Sequence, residues 1–406
     1  MEQLESPKLK VYYFFVTFIL ICFVATVFWI FSVLFRGYVL FDVINYHSTW
    51  YKNHLHTDAN MVSTDKLRGY ALTPNARGNM LAKYDVSAQF RHDDQGFRIR
   101  NNKSASADDN NSLWLFLGDS FTYGLLVESE EAFPYLIGEE LKVNIINAGV
   151  PGYSLAQILV QAYEVIPQYK PDVVVVQYSP WLAKRALYAL HPESKYIVSA
   201  PYFSANDPKG HIVSLNGPLF FVDNSIFNVH FDRYRWKDPK FINKLKFILN
   251  SNLFKYYALR DFYLSKYSLA KIIGIEKSIK ATAENLALIE QLAYNELGRL
   301  AMENNAIMIV LGLGTAFDEI NAPKSVFPDF ALAINAWSIM VEQLNNKNPR
   351  EYQDSYYFTR DDGYVYEVID THPTPKAHKI IADSVVGAYH YLQSRLDDEA
   401  ASEESN

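Results

Sequence analysis

The chain combines one uninterrupted apolar segment near its N-terminus with a later alternation of short apolar runs and longer amphipathic stretches. Short continuous apolar runs are typical of strands that are buried on both faces of a parallel sheet. Four such runs predict strands at 113–117, 143–146, 173–176 and 306–311. Helical periodicity predicts helices at 131–141, 154–168, 281–303 and 375–393. The alternation predicts an α/β fold of three layers, α/β/α, with a mainly parallel sheet.

The apolar N-terminal segment, residues 11–35, contains no charged side chain. A helix of this length extends about 37 Å, which exceeds the roughly 30 Å hydrocarbon core of a bilayer. No small-residue cleavage site is evident before Arg36, so residues 1–37 are predicted to hold a short cytoplasmic tip and one transmembrane helix, an uncleaved signal anchor. Lys8 and Lys10 on one flank, against Arg36 and Lys52 on the other, favour a single-pass topology with the remainder periplasmic or extracellular.

The rest of the chain divides by composition. Residues 38–110 are predicted to be a juxtamembrane connecting region, with a strand-like alternation at 86–91 and a polar run at 101–112. The α/β domain is expected over 111–395, with an aromatic insertion at about 181–280 that is too long for an ordinary connection. Residues 396–406 are acidic and are expected to form a disordered tail.

The insertion is also basic. Residues 233–280 contain twelve Lys or Arg against three Asp or Glu, although the whole chain has a formal net charge of -7. Asp238 and Pro239 are typical of a helix start, and the apolar stripe that follows opposes several lysines. Two interpretations stay open: a helix that packs onto the main domain with its lysines in water, or a cap over the site that contacts anionic headgroups or an acidic glycan.

Composition excludes several classes of function. A net charge of -7 argues against nucleic acid as a partner, because a protein that neutralises many phosphates needs a basic surface. The single cysteine, Cys22, lies inside the apolar segment, so the remainder can form no disulfide, no cysteine-ligated zinc site and no cysteine nucleophile. With 49% hydrophobic and 15% aromatic residues among 406, the chain has enough apolar material for a large core.

The chemistry of the chain is indicated at the end of the first predicted strand, where Leu117 is followed by Gly118, Asp119 and Ser120. A serine that acts in acyl transfer needs an exposed hydroxyl, a histidine that takes its proton, and N–H donors for the oxyanion. Ser120 is expected at the carboxyl edge of the sheet, where ligands bind in open α/β folds. His372, two residues after Asp370, is the candidate base; taken alone, it is better explained as a loop histidine bonded to backbone, but its position after the other motifs favours the base.

These motifs resemble, in order, three blocks of the SGNH (GDSL-like) hydrolase family. The first block is Gly118-Asp119-Ser120, the second is the stretch from Asn147 to Gly152, and the last holds Asp370 and His372. The resemblance implies an SGNH/flavodoxin-like fold, Ser120 as nucleophile, the backbone N–H groups of Ser120 and Gly152 as oxyanion hole, His372 as base and Asp370 as its partner. It implies no cofactor and no metal.

Two positions depart from the family's pattern. The aspartate stands two residues before His372, where the family usually has three, and some polysaccharide O-acetylating relatives share the shorter spacing. Trp181 stands where the third block has its Asn, so it is the candidate third-block substitute. The resemblance therefore implies a membrane-anchored serine esterase or O-acyltransferase acting on a glycan or lipid. The alternative is a catalytically weakened binding or assembly subunit for cell-envelope polysaccharide; protein partners are unknown.

Overall fold

The computed structural model describes most of the chain in a series of ranges: 7–46, 56–57, 61–65, 67–101, 111–186, 201–203, 212–213, 282–314, 327–328, 330–344 and 348–404. The described residues belong to two compact units. The first is represented by the N-terminal helix, and the second holds all remaining elements.

The described residues form fourteen strands and nine α-helices. The strands are β1 His56–Thr57, β2 Val62–Asp65, β3 Gly69–Leu72, β4 Arg77–Leu81, β5 Ser87–Arg91, β6 Leu113–Leu117, β7 Asn144–Asn147, β8 Val173–Tyr178, β9 Tyr202–Phe203, β10 Ile212–Val213, β11 Ile307–Gly312, β12 Leu332–Asn335, β13 Tyr357–Asp361 and β14 Tyr366–Pro373. The helices are α1 Pro7–Tyr46, α2 Ser120–Tyr123, α3 Phe133–Leu141, α4 Leu155–Tyr169, α5 Pro180–Arg185, α6 Ala283–Glu303, α7 Ala336–Glu342, α8 Pro349–Tyr356 and α9 Pro375–Glu404.

Helix α1 contains the predicted apolar segment. Its stretch Val11–Ser32 is long and apolar enough to cross a membrane, and its side chains are exposed in the first unit. Exposed phenylalanine, isoleucine and valine side chains on all sides of a helix are costly in water. The helix is therefore suited to a membrane anchor or a signal sequence.

A five-stranded parallel sheet forms the centre of the second unit, in the order β12-β11-β8-β6-β7. The predicted α/β fold is confirmed, and its four predicted strands are β6, β7, β8 and β11. Strand β12 was not predicted: it is an edge strand of four residues, one of them exposed, so it lacks a continuous apolar run.

Helices cover both faces of this sheet. On one face, α4 and α6 contribute Leu155, Ile158 and Leu297 to the larger core cluster. On the other, α3, α7 and α9 contribute Ile137, Met340 and Ile381 to a second cluster. Helix α4 begins as predicted at Ser154, whose side chain accepts from the N–H of Gln157 in a capping box.

Residues 38–110, expected to connect the anchor to the domain, hold two small antiparallel sheets, β1-β4-β5 and β2-β3. Their side chains Met61, Leu72, Met80 and Phe90 are buried in the same core cluster as α4. A backbone bridge between Arg98 and Asn147 also joins this region to the end of β7. Strand β5 lies where the strand-like alternation at 86–91 was predicted, whereas β1 to β4 were not predicted because they are only two to five residues long.

Two other expectations concern the insertion and the C-terminal tail. Of residues 181–280, only 181–186, 201–203 and 212–213 are described, so the basic stretch and its helix start at Asp238 lie outside the described residues. Helix α9 continues to Glu404, whereas residues 396–406 were expected to be a disordered tail. Alanine and glutamate, which dominate this end, are strong helix formers.

Candidate active site

Ser120 begins helix α2 directly after strand β6, at the carboxyl edge of the parallel sheet. The turn depends on Gly118, because a Cβ atom there would lie 2.1 Å from Thr122 Oγ1 and 2.5 Å from Gln177 Oε1. Asp119 caps the short helix by accepting a hydrogen bond from the N–H of Phe121 at 3.0 Å. This local geometry holds the serine at the point where the strand meets the helix.

The structure brings Ser120, His372 and Asp370 together, although 252 residues separate the serine from the histidine. The Ser120 hydroxyl donates to His372 Nε2 at 2.9 Å. His372 Nδ1 donates to Asp370 Oδ1 at 2.5 Å, and the same oxygen accepts from the His372 backbone N–H at 2.8 Å. These are the two contacts that a serine–histidine–carboxylate triad requires.

The short spacing between Asp370 and His372 follows from their position in strand β14. Side chains two residues apart in a strand lie on the same face, so the carboxylate reaches the imidazole without a turn between them. Thr371, between them, is exposed. On a strand, an aspartate two residues before the histidine is therefore well placed to contact the imidazole. In a loop or a helix, a spacing of three residues serves the same purpose.

The electrostatics of His372 favour proton uptake. Burial of the imidazole opposes its protonation, but the charge of Asp370 and its hydrogen bond outweigh this effect, so the pKa of His372 is raised above its ordinary value. Asp119 adds to the increase, and Arg185 opposes it. A raised pKa suits a base that must take the serine proton.

The two predicted oxyanion donors both have an uncommitted N–H. Among the residues that the structure describes, none accepts a hydrogen bond from the backbone N–H of Ser120 or of Gly152. Gly152 has a φ of +82°, and a Cβ atom at this position would lie 2.8 Å from Tyr70 Oη. Their assignment as the oxyanion hole remains a prediction.

Several solved structures are similar in fold to this chain. They include a GDSL-like lipase from Bacteroides thetaiotaomicron (10% identity, TM-score 0.30, covering 71% of this chain and 93% of that one). An esterase from Pseudoalteromonas has 13% identity and a TM-score of 0.29, with 70% and 100% coverage. A catalytic mutant of an acetylxylan esterase from Geobacillus stearothermophilus has 11% identity and a TM-score of 0.31, with 70% and 96% coverage.

The chain is similar to GDSL-type hydrolases. No protein-family model and no curated protein sequence matches it.

Trp181, the candidate third-block substitute, packs against the residue that follows Ser120. Its ring centroid is 5.2 Å from that of Phe121. Its indole N–H donates to Asp119 Oδ2 at 2.6 Å. Since an indole has only one N–H, Trp181 has no donor left for a substrate and cannot replace the family's Asn as an oxyanion donor.

Asp119 is the centre of a buried network that sequence reasoning missed. Its side chain is 1% exposed and accepts from four groups: the N–H of Phe121, Gln177 Nε2 at 2.9 Å, Trp181 Nε1 and Arg185 Nη1 at 2.9 Å. A buried carboxylate needs such partners to remain charged. The only sequence signal for Arg185 was its position four residues after Trp181, which places both side chains on one face of α5.

His378, six residues after His372, is fully buried. Its Nδ1 accepts from the backbone N–H of Phe133 at 3.2 Å, at the start of α3. Burial lowers the pKa of His378 to about 3, so it is neutral. It joins α9 to α3 and has a structural role.

Proposed function

We propose that this chain is a membrane-anchored serine esterase or O-acyltransferase that acts on acyl esters of a glycan or lipid outside the cytoplasmic membrane. The observation that carries the proposal is the chain of hydrogen bonds from Ser120 through His372 to Asp370. This geometry supports acyl transfer, whereas the location and the substrate class are inferred from the sequence.

The reaction follows from the positions of these groups. Ser120 Oγ attacks the ester carbonyl while His372 Nε2 takes its proton, and the imidazolium then protonates the departing alkoxide. The product is an acyl-enzyme on Ser120. Water that attacks this intermediate completes hydrolysis, and a sugar hydroxyl that attacks it completes transfer.

The apolar stretch Val11–Ser32 supports the membrane anchor, because a helix of this length and composition is long enough to span a bilayer. A tethered enzyme meets substrates that are themselves confined to the envelope. The flanking charges favour an external domain, and the absence of cysteine after residue 22 is compatible with an oxidising compartment.

The alternative is a binding or assembly subunit that keeps the fold with weakened chemistry. It is favoured by Trp181, whose indole N–H is committed to Asp119 and leaves the site without the family's third donor. Loss of one oxyanion donor typically lowers turnover by about 100- to 1,000-fold. This alternative predicts glycan binding that survives Ser120→Ala.

Labelling with a fluorophosphonate probe tests the proposal on the full-length chain in detergent. We expect a covalent adduct on Ser120 that is absent in Ser120→Ala and forms at least about 100-fold more slowly in His372→Ala. Ser112→Ala is the matched control, since Ser112 lies at the opposite end of the same strand, where it contacts Asp172. If the folded wild-type chain acquired no adduct at Ser120, this result would contradict the proposal of an enzyme and favour the binding subunit.

A further inference from the structure

Arg185 joins the two loops that hold the predicted oxyanion donors. Its Nη1 donates to Asp119 Oδ2 at 2.9 Å and to the carbonyl oxygen of Tyr153 at 3.3 Å. Asp119 directly precedes Ser120, and Tyr153 directly follows Gly152. The guanidinium group therefore lies between the residues that flank both backbone donors.

Most of the guanidinium group is uncommitted. Arginine has five N–H groups, and the two contacts use the pair on Nη1. Nε and both N–H groups of Nη2 have no acceptor among the described residues. The side chain is 25% exposed, so it is accessible from solvent.

Among the described side chains at this edge, Trp181, Gln177 and Ser179 have committed their donors. Trp181 gives its single N–H to Asp119. The Gln177 amide donates to Asp119 and to Ser179, and the Ser179 hydroxyl donates to the carbonyl oxygen of Leu313 at 2.7 Å. Within the described part of the site, Arg185 is thus the side chain with donors to spare.

We propose that Arg185 supplies the third hydrogen bond to the oxyanion, in place of the side-chain amide that is missing from this chain. The inference rests on the proposed acyl-transfer function. As the Ser120 Oγ–C bond forms, the carbonyl π electrons move onto oxygen, and the serine proton goes to His372. Arg185 transfers no proton; it donates a charge-assisted hydrogen bond, which is stronger than that of a neutral amide.

The ion pair with Asp119 prepares Arg185 for this role. A guanidinium held on one side by a buried carboxylate keeps its orientation before substrate arrives, and preorganised donors stabilise a developing charge without reorganisation. The same ion pair also allows a purely structural role, in which Arg185 only fastens the two loops. The test must therefore separate donation to the oxyanion from maintenance of the fold.

The experiment measures p-nitrophenyl acetate hydrolysis and fluorophosphonate labelling by the full-length chain carrying Arg185→Ala or Arg185→Lys. We expect kcat and the labelling rate of Arg185→Ala to fall by about 100- to 1,000-fold, with KM changed by less than about 3-fold. Guanidinium ion at a non-denaturing concentration should restore part of this loss. Arg185→Lys keeps a cation beside Asp119 and should retain the wild-type Tm, but its kcat should fall by about 10-fold or more because the planar fork is lost.

Lys184→Gln is the matched control: it removes the same charge from the neighbouring, exposed position and should leave kcat and labelling unchanged. Wild-type rates in both Arg185 variants would overturn the inference while leaving the proposed function intact. A second pair of results would also overturn the inference: a kcat loss in Arg185→Ala that guanidinium does not restore, and a wild-type kcat in Arg185→Lys. Together they would assign Arg185 a structural role. Absence of Ser120 labelling in the folded wild type would remove both the proposed function and this inference.

Discussion

At the scale of single residues, the two aspartates of the site have different tasks. Asp370 contacts the imidazole of His372 and orients it toward Ser120. Asp119 does not contact the imidazole by a hydrogen bond; it caps α2 and accepts from Trp181 and Arg185. In the proposed reaction one carboxylate therefore serves His372 as base, and the other fixes the backbone that presents Ser120.

Asp370→Asn tests the carboxylate that serves the base. Because the amide cannot stabilise the imidazolium, we expect kcat to fall by about 100- to 10,000-fold. Activity requires neutral His372 and is lost as the pH falls through its pKa. Asp370 raises that pKa, so its removal should shift the acid limb of the pH–rate profile to lower pH. The control Asp361→Asn, on the partner strand β13, should leave the acid limb of the pH–rate profile in place. If Asp370→Asn also left the acid limb in place, Asp370 would not be the partner of His372.

At the scale of elements, the apolar pattern predicted the strands that are buried on both faces, the amphipathic helices that cover them and the alternating strand β5. Strands β6 and β8 have continuous apolar runs and were found from the sequence, together with Ser120 after β6. The β13-β14 hairpin was not, because Tyr366–Pro373 mixes polar and apolar residues and no position except Pro373 is buried. The motif located Asp370 and His372, but not the strand that aligns them. Arg185 and Gln177 could not be assigned, since their contacts join elements far apart in sequence.

Arg98 shows how much the early strands contribute. Its side chain is buried and donates to the carbonyl oxygens of Tyr123 and Val127, each at 2.6 Å, and also to that of Gly124. These carbonyls belong to the segment that follows Ser120. A region expected to be a connector therefore fixes the chain immediately after α2.

Arg98→Met should destabilise the domain by about 3–5 kcal/mol, because buried carbonyl groups lose their donors and water cannot replace them. Urea unfolding of the full-length chain in detergent, followed by tryptophan fluorescence, measures the change. Arg91→Met, in the neighbouring strand β5 and only partly buried, should cost less than about 0.5 kcal/mol. Equal effects of the two substitutions would refute the idea that Arg98 holds this segment.

At the scale of the whole molecule, two buried histidines connect elements that lie far apart in the sequence. His92 donates from Nδ1 to the carbonyl oxygen of Thr73 and accepts at Nε2 from the Tyr123 hydroxyl, each at 2.9 Å. His378 accepts from the backbone N–H of Phe133. Burial lowers the pKa of His92 to about 4 and that of His378 to about 3, so the fold holds both in the neutral form.

This neutrality makes the stability of the domain depend on pH. An unfolded histidine has a pKa of about 6.5, so between pH 6.5 and 4 the unfolded chain binds more protons at these two sites than the folded chain does. As the pH decreases through this range, the free energy of unfolding decreases by about 1.4 kcal/mol per pH unit for each histidine. His372 acts in the opposite direction, because its folded pKa is raised. His378→Asn keeps an acceptor for the Phe133 N–H but cannot be protonated. We expect it to reduce the difference in unfolding free energy between pH 7 and pH 5 by about 2 kcal/mol, whereas His390→Asn on the exposed side of α9 should not change it. An unchanged difference in His378→Asn would mean that the folded state accepts a proton at this position.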